Sequence, residues 1–125
     1  MNKPTLIIGA SENPERYSNK AALSLLKHGH TIYLLGNKLG QVNGIKIETE
    51  TSIRSVPELK NIDTVTLYLN KINQNSFKDY IYSLKPKRII FNPGAENTEF
   101  FEEASQKGIE CIEGCTLVML SIGNY

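Results

Sequence analysis

The chain has 125 residues, of which 40% are hydrophobic and 22% are charged, a size and composition typical of one ordinary globular domain. These values exclude a disordered or fibrous chain and predict a single domain over residues 1–125. The formal net charge of +1 argues against a nucleic-acid binder with a uniformly basic face.

Five short apolar runs bounded by turn residues predict strands. They cover residues 6–8, 31–35, 64–69, 88–91 and 109–112. Runs that are apolar throughout and rich in Val and Ile are typical of strands covered on both faces, as in a parallel sheet.

Segments with helical spacing separate these strands. The first carries an apolar stripe over residues 21–26 and has Ser18 or Asn19 as its predicted N-cap. The second covers residues 77–84, and the third begins near Glu99 and ends before Gly108, its predicted C-terminal cap. A last helix is expected from about Cys115.

The alternation of strands and helices predicts an α/β fold, a Rossmann-like, doubly wound, five-stranded parallel sheet with helices on both faces in a three-layer sandwich. Residues 36–61 fit this pattern least and are expected to be largely irregular. Within them, Ile45 and Ile47 suggest a short extra strand, and residues 57–59 suggest a turn of helix.

The first strand ends in Gly9-Ala10-Ser11, at the edge of the sheet where ligands bind in open α/β proteins. Gly9 would let the backbone approach a phosphate, and free N–H groups with the Ser11 hydroxyl could donate to its oxygens. An ordinary tight turn is the alternative interpretation of this single glycine.

The pattern differs from the dinucleotide fingerprint, because it lacks three spaced glycines and the later acidic residue that binds ribose hydroxyls. The second strand is followed instead by Asn37 and Lys38. A cation at this place would attract a phosphorylated ribose, which favours coenzyme A or NADP over NAD.

Cations for such a ligand come from a stretch without acidic residues. No Asp or Glu lies between Glu15 and Glu48, while Arg16, Lys20 and Lys38 lie within plausible reach of the first loop. Arg16 has the forked geometry for bidentate phosphate contact. Solvated surface charges remain the alternative for each of the three side chains.

A second loop, Asn92-Pro93-Gly94-Ala95, follows the fourth predicted strand and should reach the same edge of the sheet. Its proline stiffens the chain and its glycine allows a ligand to approach closely. A purely structural turn is the alternative here.

Neither the cysteines nor the histidines form a recognisable catalytic or metal site. Cys111 falls on the last strand and is expected to be a buried, inert thiol, whereas Cys115 at a helix start is the more reactive candidate. His28 and His30 flank Gly29 at the opposite, amino edge, where a capping or packing role is expected. We therefore predict no catalytic residue and no metal ligand.

Taken together, several motifs resemble the small stand-alone CoA-binding domain proteins, which are similar to the N-terminal CoA-binding domain of the succinyl-CoA synthetase alpha subunit. The shared motifs, in order, are Gly9-Ala10-Ser11, Pro14, Arg16-Tyr17-Ser18, Gly29-His30, Ile62-Asp63, Asn92 to Glu96, Gly108-Ile109 and Gly114-Cys115. The resemblance spans nearly the whole chain.

The resemblance implies a Rossmann-type fold with the CoA phosphates near residues 9–18 and the adenine end near the loop after the second strand. Lys38 matches the lysine of the family's Asn-Pro-Lys turn, although this chain has Gly36-Asn37 before it. Many members have a proline after the third strand, where this chain has Asn70. Both departures would border the adenosine portion.

We therefore expect a cytoplasmic module that binds CoA or acyl-CoA as a carrier, sensor or regulatory subunit, without catalysis of its own. Its partners would be a small-molecule nucleotide and a second copy or another protein, and neither nucleic acid nor membrane. The alternatives are an interaction domain that has lost the ligand, a small acyl-CoA thioester enzyme with Cys115 reactive, and an NADP-binding module. The predicted cofactor-binding residues are Gly9, Ala10, Ser11, Arg16, Tyr17, Ser18, Lys20, Asn37, Lys38, Asn70, Pro93, Gly94 and Ala95.

Overall fold

A computed structural model describes residues 1–56 and 59–125. The strands are β1 (Thr5–Ile8), β2 (Ile32–Leu35), β3 (Gly40–Val42), β4 (Ile45–Glu48), β5 (Thr64–Leu67), β6 (Arg88–Phe91) and β7 (Glu110–Glu113). The α-helices are α1 (Tyr17–Lys27), α2 (Lys71–Gln74), α3 (Lys78–Leu84), α4 (Thr98–Gln106) and α5 (Thr116–Ser121). Short 3₁₀ turns occupy Ser52–Ser55 and Asn75–Phe77.

The strands form a mixed sheet with the order β3-β4-β2-β1-β5-β6-β7, and every pair except β3 with β4 is parallel. The α/β, Rossmann-like class is therefore confirmed. The predicted number of five strands is too small, because the described residues form seven.

The two additional strands, β3 and β4, come from the segment expected to be largely irregular. Asn43 and Gly44 join them in a two-residue turn with positive φ angles of 51° and 81°. An Asn-Gly pair in this position is the strongest short-range signal for a tight hairpin, and it could have been recognised in the sequence. The strand suggested by Ile45 and Ile47 is confirmed as β4, whereas the helical turn expected at 57–59 lies partly outside the described residues.

Alternate residues along the central strands enter two cores, one on each face of the sheet. Leu6, Leu67 and Phe91 pack with Phe100 of α4 on one face, and Ile7 and Leu34 pack with α1 and α5 on the other. All five of these strand residues are at most 1% exposed. The alternation produces the predicted three layers, because successive side chains on a strand point to opposite faces.

The predicted caps of two helices, α4 and α1, can be compared with the structure. Gly108 follows α4 with φ +85°, in agreement with its predicted capping role. The predicted cap of α1 is wrong, since the helix begins at Tyr17, with Arg16 as its N-cap residue. Ser18 and Asn19 lie buried in the first turn, and the Asn19 amide instead donates to the Ser11 carbonyl at 2.9 Å.

Candidate functional site

The strand order reverses at β1. The strands that follow β1 directly, β2 to β4, lie on one side of it, and β5 to β7 lie on the other side. Loops that leave neighbouring strands in opposite directions open a crevice at the carboxyl ends of those strands. A cavity of about 1300 Å³ lies at this place, above the 300–1,000 Å³ typical of small-molecule sites.

Four chain segments supply most of the cavity wall. They are the loop between β1 and α1, the loop after β2, the segment 49–51 after β4, and the segment 68–77 after β5, with Pro93 added from the loop after β6. Of the predicted binding residues, nine line the cavity: Gly9, Ala10, Ser11, Arg16, Tyr17, Ser18, Asn37, Lys38 and Pro93.

The other four predicted residues do not line the cavity. Asn70 caps α2 through a hydrogen bond from the Asn73 N–H at 3.0 Å, and Ala95 is buried behind the wall. Lys20 lies one turn into α1, and Gly94 lies next to Pro93 without forming the wall.

The glycine turn has hydrogen bonds that change how it could receive a phosphate. The N–H groups of Gly9 and Ala10 both donate to the Leu35 carbonyl, at 2.8 and 2.9 Å. The expectation that this turn offers free N–H groups is therefore wrong for these two residues, which instead join β1 to the end of β2.

Uncommitted donors lie slightly further along the chain. Among the described residues, no acceptor takes up the N–H groups of Ser11, Tyr17 or Ser18, all three of which line the cavity. Tyr17 and Ser18 form the first turn of α1, where unpaired amides and the helix dipole favour an anion. The Ser11 hydroxyl accepts from the Asn13 N–H at 3.1 Å, so its own hydrogen remains available to a ligand.

Two cations line the cavity, Arg16 at the start of α1 and Lys38 in the loop after β2. Both side chains are exposed, and neither makes an ion pair with a carboxylate of the described residues. They are therefore available to an anionic ligand without first breaking an internal contact.

Sequence reasoning missed three acidic residues and several apolar ones in the wall. Glu12, Glu15 and Glu50 line the same cavity as Arg16 and Lys38. Glu15 directly precedes the acid-free stretch and Glu12 lies three residues earlier, but nothing in the sequence indicated that these side chains would line the cavity. The missed apolar and aromatic residues are Ile8, Leu35, Leu39, Ile47, Tyr68, Leu69 and Phe77.

Tyr68 also reaches a buried polar cluster beneath the cavity. Its hydroxyl oxygen is buried and has no hydrogen-bond partner among the described residues, and burial raises the pKa of this phenol to about 12. Nearby, the hydroxyls of Thr66 and Thr116 are hydrogen-bonded to each other at 2.8 Å. The Asn92 amide donates to Thr66 and its carbonyl accepts from the Thr116 N–H, so α5 is fixed to the ends of β5 and β6.

Neither the cysteines nor the histidines line the cavity. Cys111 is half-buried on β7, and burial raises the pKa of its thiol, while Cys115 is the N-cap residue of α5. His28 follows α1, and His30 accepts a hydrogen bond from the Lys3 N–H at the amino edge. In the described part of the chain, no group of three or more His, Cys, Asp or Glu could hold a metal ion.

The sheet order and the cavity at its reversal point define the chain as a Rossmann-like α/β protein with a crevice at the carboxyl ends of its strands, the place where ligands bind in open α/β sheets. The chain also matches the family model described as CoA binding domain over residues 3–121, and it belongs to this family.

Solved structures show the same architecture. An uncharacterized protein shares 50% identity with a TM-score of 0.92, and the match covers 100% of this chain and 99% of that one. A hypothetical protein from Pyrococcus horikoshii shares 24% identity (TM-score 0.78, 92% and 79% covered), and a protein from Thermus thermophilus shares 16% (TM-score 0.78, 98% and 90% covered). The last two show the fold alone.

No match was found among the curated proteins. None of the described helices has the length and apolar character needed to cross a bilayer.

Proposed function

We propose that this protein binds coenzyme A or acyl-CoA in the cavity beside β1 and acts as a carrier, sensor or regulatory subunit without catalysis of its own. The observation that carries the proposal is the convergence of uncommitted donors on one cavity in a chain of the CoA-binding family. These donors are the N–H groups of Ser11, Tyr17 and Ser18 and the guanidinium of Arg16.

The first turn of α1 would hold the diphosphate. A micromolar ligand needs ~8 kcal/mol, whereas a helix terminus supplies only ~0.3–1 kcal/mol toward one phosphate. Charge-assisted contacts from Arg16 therefore have to add to the backbone donors. Lys38, from the loop after β2, would meet the phosphate on the ribose.

Catalysis is left out of the proposal because none of the cysteines and histidines, Cys111, Cys115, His28 and His30, lines the cavity. The carboxylates of Glu12, Glu15 and Glu50 do line it, but all three residues are exposed, and we propose no catalytic role for them. A thioester enzyme using Cys115 remains a testable alternative, for which alkylation of Cys115 would have to be slowed by bound CoA.

Thermal unfolding with added CoA, dephospho-CoA, NADP and NAD tests the proposal. A ligand present at 100 times its dissociation constant stabilises the folded state by about 2.7 kcal/mol. We expect CoA to raise the unfolding temperature most, dephospho-CoA less, and NAD least. The absence of any shift with millimolar CoA would contradict the proposal and favour an interaction domain that has lost the ligand, and a larger shift with NADP would favour an NADP module.

Two variants test whether Arg16 itself contacts the ligand. Arg16→Gln should abolish most of the CoA-induced shift, whereas Lys20→Gln, one turn further along α1 and outside the cavity wall, should leave it nearly intact. Equal losses in both variants would indicate general charge attraction and not a contact made by Arg16.

A further inference from the structure

A fully buried amide side chain, Gln74, joins the two loops that form one side of the cavity. Gln74 is the last residue of α2 and is 0% exposed. Its Nε2 donates to the Leu69 carbonyl at 2.8 Å and to the Ala95 carbonyl at 2.7 Å. Its Oε1 accepts from the Asn97 Nδ2 at 2.9 Å. One side chain thus connects the segment after β5 with the loop after β6.

The residues held in this way adjoin the ligand cavity. On the side of β5, Leu69 itself and Asn73 line the cavity, and on the side of β6, Pro93 lines it two residues before Ala95. The Asn97 side chain also accepts from the Phe100 N–H, which places the start of α4 in the same network. Movement of Gln74 would therefore change the spacing between the two walls.

Packing alone does not account for a glutamine at this position. Burying a polar side chain has a cost that an apolar residue of similar size avoids. Because three hydrogen bonds converge on this amide, replacing it leaves two carbonyl oxygens and one amide group unpaired in the interior, at about 1–3 kcal/mol each. The network fixes one relative position of the loops, since only that position satisfies all three bonds.

We propose that Gln74 is a positioning residue for the ligand: it sets the distance between the Leu69–Asn73 wall and the Pro93 wall without touching the ligand itself. The proposal rests on the proposed function for its ligand, and on the hydrogen bonds of Gln74 for its geometry.

Three variants separate positioning from a general loss of stability. Gln74→Met has similar length and removes all three hydrogen bonds. Gln74→Glu keeps an acceptor for Asn97 and places an ionisable group opposite two carbonyls. Thr64→Val is the control, because it also removes a buried hydrogen bond, the one from Arg88 Nε to the Thr64 hydroxyl. Thr64 begins β5, so this bond lies at the edge of the sheet opposite the cavity.

CoA affinity is measured for each folded variant, at a temperature well below its own unfolding transition. We expect Gln74→Met to weaken CoA binding roughly 10-fold, which corresponds to about 1.4 kcal/mol, whereas Thr64→Val leaves the affinity unchanged despite its lower stability. Gln74→Glu should recover affinity as the pH falls, because a protonated carboxyl can donate to one of the two carbonyls, and Gln74→Met should show no such recovery.

Wild-type affinity in Gln74→Met, or an equal loss in Thr64→Val, would overturn the proposal. If wild-type protein binds no CoA, the proposed function fails, and hydrogen exchange of the ligand-free protein still decides whether Gln74 fixes the loops. Faster exchange in residues 69–73 and 94–97 of Gln74→Met, but not of Thr64→Val, would support the positioning role, and unchanged exchange there would contradict it.

Discussion

At the scale of single residues, Gly9 combines two restrictions at the point where the chain leaves β1. Its φ of +95° lies in a region that residues with a side chain rarely adopt. A Cβ atom built on it would also lie 3.0 Å from the backbone carbon and oxygen of Tyr68. Glycine is needed here for close contact between the turn and Tyr68, the residue after β5, and not for free amide groups that face a phosphate.

The variant Gly9→Ala should therefore lose more stability than an alanine placed at an equally positive φ in open space. Gly29 has φ +85°, and a Cβ placed on it would meet nothing within 4 Å beyond its chain neighbours, so Gly29→Ala is the control. We expect about 1 kcal/mol of backbone strain in both variants and a further ~1–3 kcal/mol in Gly9→Ala from the steric contact. Urea unfolding measures the difference, and equal losses would contradict it.

His30 makes stability depend on pH at the amino edge of the sheet. Burial lowers its pKa from 6.5, and the positive charges of the N-terminus, His28, Lys3 and Arg88 lower it further. The ring also accepts a hydrogen bond from the Lys3 N–H at 3.0 Å through Nδ1, which requires that nitrogen to be unprotonated.

The folded chain therefore binds this proton less readily than the unfolded chain does. The contribution of neutral His30 is fully present above pH 6.5 and is lost as the pH falls below that value through the lower pKa of the folded state. We expect the unfolding free energy to fall over this range in the wild type, and to fall less in His30→Gln. The variant His28→Gln should lose only a small part of the slope, because it removes one of the positive charges that lower the pKa of His30 and keeps the burial and the Lys3 hydrogen bond.

At the scale of elements, the β3–β4 hairpin is attached to the loop between β1 and α1. The Glu12 carboxylate accepts from the Gln41 N–H at 3.0 Å, and its side chain lies so close to Gly40 that a Cβ there would come within 2.5 Å of it. This contact joins the loop between β1 and α1, which lines the cavity, to the segment that carries Lys38.

The variant Glu12→Ala should release this attachment without unfolding the sheet. We expect faster amide exchange at Gln41 and in residues 38–40, while β1 and β5 keep their protection. Glu15→Ala is the control, because Glu15 lines the same cavity but has no hydrogen bond to the hairpin. Unchanged exchange in Glu12→Ala would show that the hairpin is held by its own turn and by β4.

At the scale of the whole molecule, folding brings acidic and basic side chains to one cavity although they are segregated along the sequence. Glu12, Glu15 and Glu50 meet Arg16 and Lys38 at one cavity, although the chain from 16 to 47 contains no acidic residue. The electrostatic field at the site is therefore less positive than the linear pattern indicates, and the two cations must act through close contacts.

The variant Glu15→Gln should consequently tighten the binding of an anionic ligand. We expect roughly a twofold gain in CoA affinity at low ionic strength that disappears at about 1 M salt, since exposed charges are screened there. Glu102→Gln, on α4 and outside this cavity, is the control and should change nothing. A gain that persists at high salt would indicate a steric effect and not a charge effect.

Periodicity and turn chemistry alone determined much of this protein. The five apolar runs, the helices between them and the glycine turn after the first run are local patterns, and they predicted the α/β class and the edge of the sheet that carries the cavity. Such patterns are visible in a sequence because they depend on residues no more than about four positions apart. Charge placement and the family resemblance were needed to complete the nine predicted residues that line it.

The tertiary structure decided what depends on contacts between distant segments. It placed Glu12 against Gly40, directed the Asn19 amide to Ser11, and let the Leu35 carbonyl engage the N–H groups of Gly9 and Ala10. It also joined two loops through Gln74, whose place in α2 gives no sign of its partners 21 and 23 residues away. Hydrogen bonds of this kind are set by how the loops meet at the end of a sheet, so no local propensity reveals them.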